Sequence, residues 1–104
     1  KMIIYNVTVN IKESVQHEWL KWMNETHIAD VLNTGIFTAA KMSKVLVEEQ
    51  MGGVTYSIQY TCESQEKLDL YTMNHAPALQ QEHNIKFQGK FVAFRTLMEV
   101  ISEF

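Results

Sequence analysis

The sequence predicts an α+β domain of β-α-β-β-α-β order. Three observations carry this: two stretches alternate apolar and polar residues with period two and two more are β-like, two longer stretches have helical spacing, and glycine-containing breaks fall between them. In "MIIYNVTVNI" (residues 2–11), Ile3, Tyr5, Val7, Val9 and Ile11 lie on one face and Ile4, Asn6, Thr8 and Asn10 on the other, the pattern of a strand. Ser14 is placed to cap a helix running to about Leu32, and "NTG" (33–35) ends it with a glycine suited to the left-handed region. "IFTAAKMSKVLVEE" (36–49) predicts a long second strand, and "QMGG" (50–53) a hairpin turn. "VTYSIQYTC" (54–62) alternates again as a third strand. Ser64 can cap a second helix lasting to about Lys86, with Pro77 as a kink or break inside it. "KFVAFRTLMEVI" (90–101) closes the chain as the last strand.

This order is the split-βαβ, or ferredoxin-like, arrangement. Right-handed crossovers put both helices on one face of a four-stranded antiparallel sheet, with the first and third strands central. No linker, repeat or low-complexity segment interrupts the chain, so residues 2–104 read as a single domain. A chain of 104 residues buries a core without metal or disulfide staples.

The second face of the sheet is not simply polar. Ile4, Phe37, Val45 and Val47 are expected to line it, with either Phe91 and Leu97 or Val92 and Phe94. Large apolar groups among Thr, Ser and Asn suit a covered surface, and the simplest cover is the same face of a second copy. A symmetric homodimer is therefore expected; the plainer alternative is a solvated face with scattered apolar residues.

Composition excludes several classes of function. A net charge of −3 argues against a nucleic-acid binder, which needs clustered Lys and Arg to displace counterions. Tyr5, Tyr56 and Tyr60 alternate on central strands as in RNA-binding sheets, but they share the apolar, helix-facing side. No apolar run reaches the roughly 20 residues of a membrane span. With Met2 read as the natural start, no secretory leader is expected, and the single Cys62 suggests no oxidising compartment; the expected location is cytoplasmic. Cys62 has no neighbouring basic cluster to activate it as a nucleophile.

The stretch "HEWLKWMNETH" (17–27) looks like a metal helix and is not one. His17 and His27 are separated by roughly 15 Å along a helix and about 80° around it. The metalloprotease pattern needs a second histidine four residues on, where Lys21 stands. His75 and His83, eight apart, fail in the same way. No metal or cofactor is expected. Val15, Trp19, Trp22, Met23, Thr26, His27 and Val31 share one helix face, which leaves His17 at the solvated boundary and points His27 inward. On the second helix Leu68, Tyr71, Thr72, His75 and Leu79 form the inner face, with His83 nearer its edge. With the helix ends level, His27 and His75 differ in height by roughly 6 Å, so they are expected to face one space between helices and sheet. There His27 and His75 are the candidate acid/base or donor groups, and Trp22, Tyr56 and Tyr71 the candidate ligand-binding walls. The competing reading makes both histidines core residues bonded to backbone carbonyls or tyrosine hydroxyls, and the tryptophans plain packing. Arg95 is either an ion-pair partner or an anion clamp.

"MIIYNVTVNI", "EWLKWM…HIADVL.TGIF", "MGGVTYSIQYT" and "KFVAFRT" together resemble a bacterial family catalogued as a domain of unknown function within the dimeric α/β-barrel superfamily. The resemblance spans nearly the whole chain, with Ala29 where the family usually has proline. It implies a ferredoxin-like protomer whose sheet faces that of a partner, and it brings no known reaction. The wider superfamily includes cofactor-free monooxygenases, haem-degrading enzymes, and cyclases or isomerases, with pockets between sheet and helices. Haem-degrading members use a first-strand Asn with a Trp and a His on the later helix. Here Asn6 matches the first, but Tyr71 stands near the Trp position and neither His75 nor His83 has the expected spacing from it. Two functions follow as expectations: a small-molecule pocket protein with cofactor-free oxygenase- or isomerase-like activity, or a non-catalytic ligand-sensing or assembly module.

Overall fold

The two alternating stretches and the two β-like ones become four antiparallel strands in the computed structural model, which describes residues 1–104. They are β1 (Ile3–Ile11), β2 (Phe37–Lys44), β3 (Val54–Cys62) and β4 (Phe91–Glu99), in sheet order β2-β3-β1-β4. The first and third strands are central, as expected. β1 pairs along its whole length with both neighbours, so Val7 lies opposite Ile58 on one side and Arg95 on the other. Between β1 and β2 run a 3-10 turn (Glu13–Val15), α1 (Gln16–Trp22), a π turn (Met23–His27) and α2 (Ile28–Leu32). Between β3 and β4 run α3 (Gln65–Asn74) and α4 (Ala76–Lys86).

The alternation buries what it predicted to bury. Tyr5, Val9 and Ile11 from β1 and Tyr56, Ile58 and Tyr60 from β3 meet Trp19, Met23 and Val31 from the first helical segment and Leu68, Tyr71 and Phe87 from the second. Removing this apolar surface from water is the main favourable contribution to folding. Ser64 caps α3 as expected, its hydroxyl accepting from the Lys67 N–H at 3.2 Å. Pro77 makes a break: α3 stops at Asn74, His75 takes non-helical angles, and α4 restarts with the proline in its first turn, where a missing N–H costs nothing. Gly35 adopts φ +79, ending the first helical segment in the left-handed region.

Three expectations need correction. The second strand ends at Lys44, not near Glu49. A bond from Val45 N–H to the Thr55 carbonyl is the last rung, and Leu46, Val47 and Met51 then project into solvent. The apolar run there had no face to pack on, so propensity alone did not extend the strand. Ser14 caps nothing; it sits inside the 3-10 turn, and no side chain caps α1. Phe37 does not line the second sheet face. A bulge between Phe37 and Ala39 shifts its phase, and its ring packs in the core against Tyr5, Tyr60 and Tyr71 at centroid distances of 5.9, 5.2 and 4.8 Å.

Val47 lies in the loop, and Val45 just past the strand. Of the two β4 alternatives, Val92 and Phe94 take the second face, since Phe91 and Leu97 pair opposite the inward Ile11 and Tyr5. That face has a polar centre. Asn6 is buried there, its amide donating to the Thr8 hydroxyl at 3.0 Å and its carbonyl accepting from Ser57. Along the β4 edge the face turns apolar, with Val92, Phe94 and Met98 exposed.

Candidate functional site

Where β1 and β4 meet the helices, the core is not fully packed. A cavity of about 40 Å³ is bounded by Tyr5, Val7, Val9, Ile58 and Tyr60 from the central strands and Phe91, Ala93 and Arg95 from β4. Met23, His27 and Val31 close it from the first helical segment, and Tyr71, Leu79, Gln80 and His83 from the second. It has room for about three water-sized atoms.

His27 reaches this space from the last position of the π turn, where Ile28 N–H bonds back five residues to the Met23 carbonyl. Its ring stacks on Trp22, centroids 4.8 Å apart and planes 28° apart. Its Nδ1 is buried and has no hydrogen-bond partner. Leaving such an atom unpaired costs about 1–3 kcal/mol. Burial holds the His27 imidazole below its ordinary pKa, against a smaller opposing pull from Asp30 and with a further lowering by Arg95. The ring is therefore mostly neutral at pH 7, able to take a proton or share one.

The histidine that faces His27 is His83, with ring centroids 5.8 Å apart. His83 is 8% exposed, and its Nε2 accepts a hydrogen bond from Trp19 Nε1–H at 2.9 Å. That bond requires a bare Nε2 and fixes the proton on Nδ1. Trp22, Phe87 and Phe91 surround the ring at 5.7, 5.7 and 4.4 Å. Burial, then His27 and then Arg95, push its pKa down to about 4.

His75 is not part of this arrangement. It occupies the junction of α3 and α4, half-buried, with its ring alongside Tyr71 at 6.3 Å. It borders a separate polar groove with Asp30, Asn33, Thr34 and Asn74. The break at Pro77 explains the exchange: counted afresh from Ala76, positions 76, 79, 80, 83 and 87 form one stripe, and His83 belongs to it. A proline read as a phase reset, not as a kink, is the signal that would have found His83.

Of the expected walls, Tyr71 lines the cavity and Trp22 backs His27. Tyr56 lies elsewhere in the core, its hydroxyl accepting from Gln16 at 2.8 Å and its ring 5.2 Å from Trp19. Tyr5 and Tyr60 take its place at the cavity. Burial raises the Tyr60 and Tyr71 hydroxyls well above the ordinary tyrosine pKa, so both stay protonated donors. Arg95 forms no ion pair; its Nε donates to the Tyr5 hydroxyl at 2.9 Å. His17 is exposed, as expected. No three His, Cys, Asp or Glu side chains come together to hold a metal, and no helix is long and apolar enough to cross a membrane.

The element order, sheet topology and helix-covered face define an α+β protein of ferredoxin-like fold. The chain belongs to the family described as a domain of unknown function (DUF4286), which matches residues 2–101. Comparison with curated proteins finds no match. Among solved structures, it is similar to an ethyl tert-butyl ether d (ethd) family protein from Bacillus halodurans, with 13% identity, a TM-score of 0.69, and 95% and 99% of the two chains covered. It is also similar to SnoaB, a cofactor-independent oxygenase from Streptomyces nogalater, with 8% identity, a TM-score of 0.65 and 98% and 95% covered. A dimeric ferredoxin-like protein from an uncultured marine organism shares 9% identity over 99% and 98% of the chains, with a TM-score of 0.66.

Proposed function

We propose that residues 2–104 form one domain that binds a small molecule in the cavity between sheet and helices, with His27 as its proton-transferring or donating group. One observation carries this reading: the buried, unpartnered Nδ1 of a neutral histidine on the wall of a cavity. A core histidine would have found a partner, as His83 found Trp19. His83 then serves as a second polar group and holds the Trp19 side of the wall; His75 keeps a place only at the rim of the neighbouring groove. Proton transfer by a neutral imidazole needs no cofactor, which suits isomerase-like or cofactor-free oxygenase-like chemistry. The similarity to SnoaB supports the fold in which such chemistry occurs.

A screen of small aromatic acids, phenols and ketones by thermal shift tests the reading against a His27→Phe variant. Phenylalanine keeps the stack on Trp22 and removes the unpaired nitrogen. The variant is expected to melt at or above the wild-type temperature, gaining up to about 1–2 kcal/mol, while losing the stabilisation that a bound compound gives the wild type. Equal stabilisation of both proteins, or a loss of several kcal/mol in the variant, would instead mark His27 as a structural core residue.

The second sheet face supports self-association as part of the same reading. The polar centre around Asn6 is satisfied within the protomer, and the exposed Val92, Phe94 and Met98 gather at the β4 edge. A second copy of this face covers all three at once. Gel filtration is expected to give the mass of two chains, and Phe94→Glu the mass of one. Wild type eluting as a monomer at high concentration would remove this account of the face.

A further inference from the structure

The cavity has a charge pattern that its shape does not require. Of its lining residues, Arg95 is the one with a permanent charge, and none is Asp or Glu. The protein's ion pairs are Lys67–Glu63 and Lys86–Glu18, so no carboxylate neutralises Arg95. Arg95 is exposed on β4, yet its side chain does not hang free: it stands opposite Val7 in the β1–β4 register, and its Nε donates to the hydroxyl of Tyr5, two residues from Val7 along β1. The anchor leaves the two terminal guanidinium nitrogens free to pair with a planar anion. Because the Tyr5 oxygen accepts from Arg95, its own proton remains for a further acceptor.

We propose that the ligand of this cavity is an organic carboxylate, bound head-first with its carboxylate on the free guanidinium nitrogens of Arg95 and the Tyr5 hydroxyl. This rests on the pocket reading above and names its ligand class. About 40 Å³ matches a three-atom carboxylate head, and the rest of the molecule extends toward solvent past Arg95, the exposed residue of the lining. His27 then meets the ligand from the opposite, helical wall. Neutral histidines and protonated Tyr60 and Tyr71 add no negative charge to oppose an anion.

Two isosteric pairs of probes test this: benzoate against benzamide, and propionate against propionamide, whose bodies need less room. Binding is followed by NMR shifts of the His27 imidazole nitrogens in wild type, Arg95→Gln and Tyr5→Phe. At least one carboxylate is expected to bind at least tenfold more tightly than its amide. Arg95→Gln is expected to remove that preference and Tyr5→Phe to weaken it several-fold, with melting temperatures establishing that both variants fold. Amide binding equal to carboxylate binding, or a preference that survives Arg95→Gln, would overturn the assignment of Arg95 while leaving the pocket standing. Absence of any His27 shift with all four probes at millimolar concentration would overturn the carboxylate proposal; the pocket reading itself then stands or falls on the His27→Phe thermal-shift screen.

Discussion

Replacing Trp19 by alanine is expected to cost about 3–5 kcal/mol of folding stability. Its side chain is fully buried, packed 5.2 Å from the Tyr56 ring, so truncation leaves a large hole at the centre of the helix-sheet contact. It also strips His83 Nε2 of its donor and leaves a buried acceptor unpaired. A domain of this size typically has only about 5–15 kcal/mol to lose, so urea unfolding should show a much lower midpoint. Trp19→Phe separates the two contributions. It keeps most of the apolar volume and removes the N–H, and is expected to cost about 1–3 kcal/mol. A Trp19→Phe protein as stable as wild type would mean that the bond to His83 contributes nothing.

Acid is expected to act through the same pair. Unfolded, His83 titrates at its ordinary 6.5; folded, it resists protonation until about 4. Between those values the unfolded chain binds a proton that the native protein refuses, so stability rises with pH across this window. The contribution is present in full above pH 6.5, is lost progressively as pH falls to about 4, and amounts to roughly 3 kcal/mol. The geometry supplies the reason, since a proton on Nε2 would oppose the Trp19 N–H. His27, also lowered chiefly by burial, adds in the same direction. Urea midpoints at pH 7 and pH 4.5 measure the loss, and a His83→Gln variant, which keeps an acceptor, should lose correspondingly less. Identical pH profiles would show that His83 takes up its proton as readily in the folded protein as in the unfolded chain.

What the sequence disclosed follows from which signals are local. Strand alternation is read from neighbours alone, so β1 and β3 were legible residue by residue, as was the Ser64 cap. The end of β2 depends on whether Val45, Leu46 and Val47 find something to pack against, which no local pattern states. The position of Phe37 turned on a single bulge. At the site, His27 was legible because its stripe with Trp19, Met23 and Val31 is regular. His83 was not, because the phase was carried across Pro77 from α3, giving His75 the inward place. Arg95 was visible as a charge among apolar neighbours, but its lack of an ion-pair partner is a property of the assembled fold.

The regularity of that first stripe has a cause of its own. Residues spaced by four overshoot a full α-helical turn by about 40°, so three such steps would wind Trp19, Met23, His27 and Val31 about 120° around the axis. A straight helix would therefore carry its later members off the sheet. The π turn at Met23–His27 holds more residues in its turn, so each advances by a smaller angle, and the middle step runs backward against the drift. The stripe is straightened at the one place where it must present a histidine. The helix thus behaves like a vernier: its two α-helical segments differ in phase. Aim is adjusted by one residue's worth of backbone.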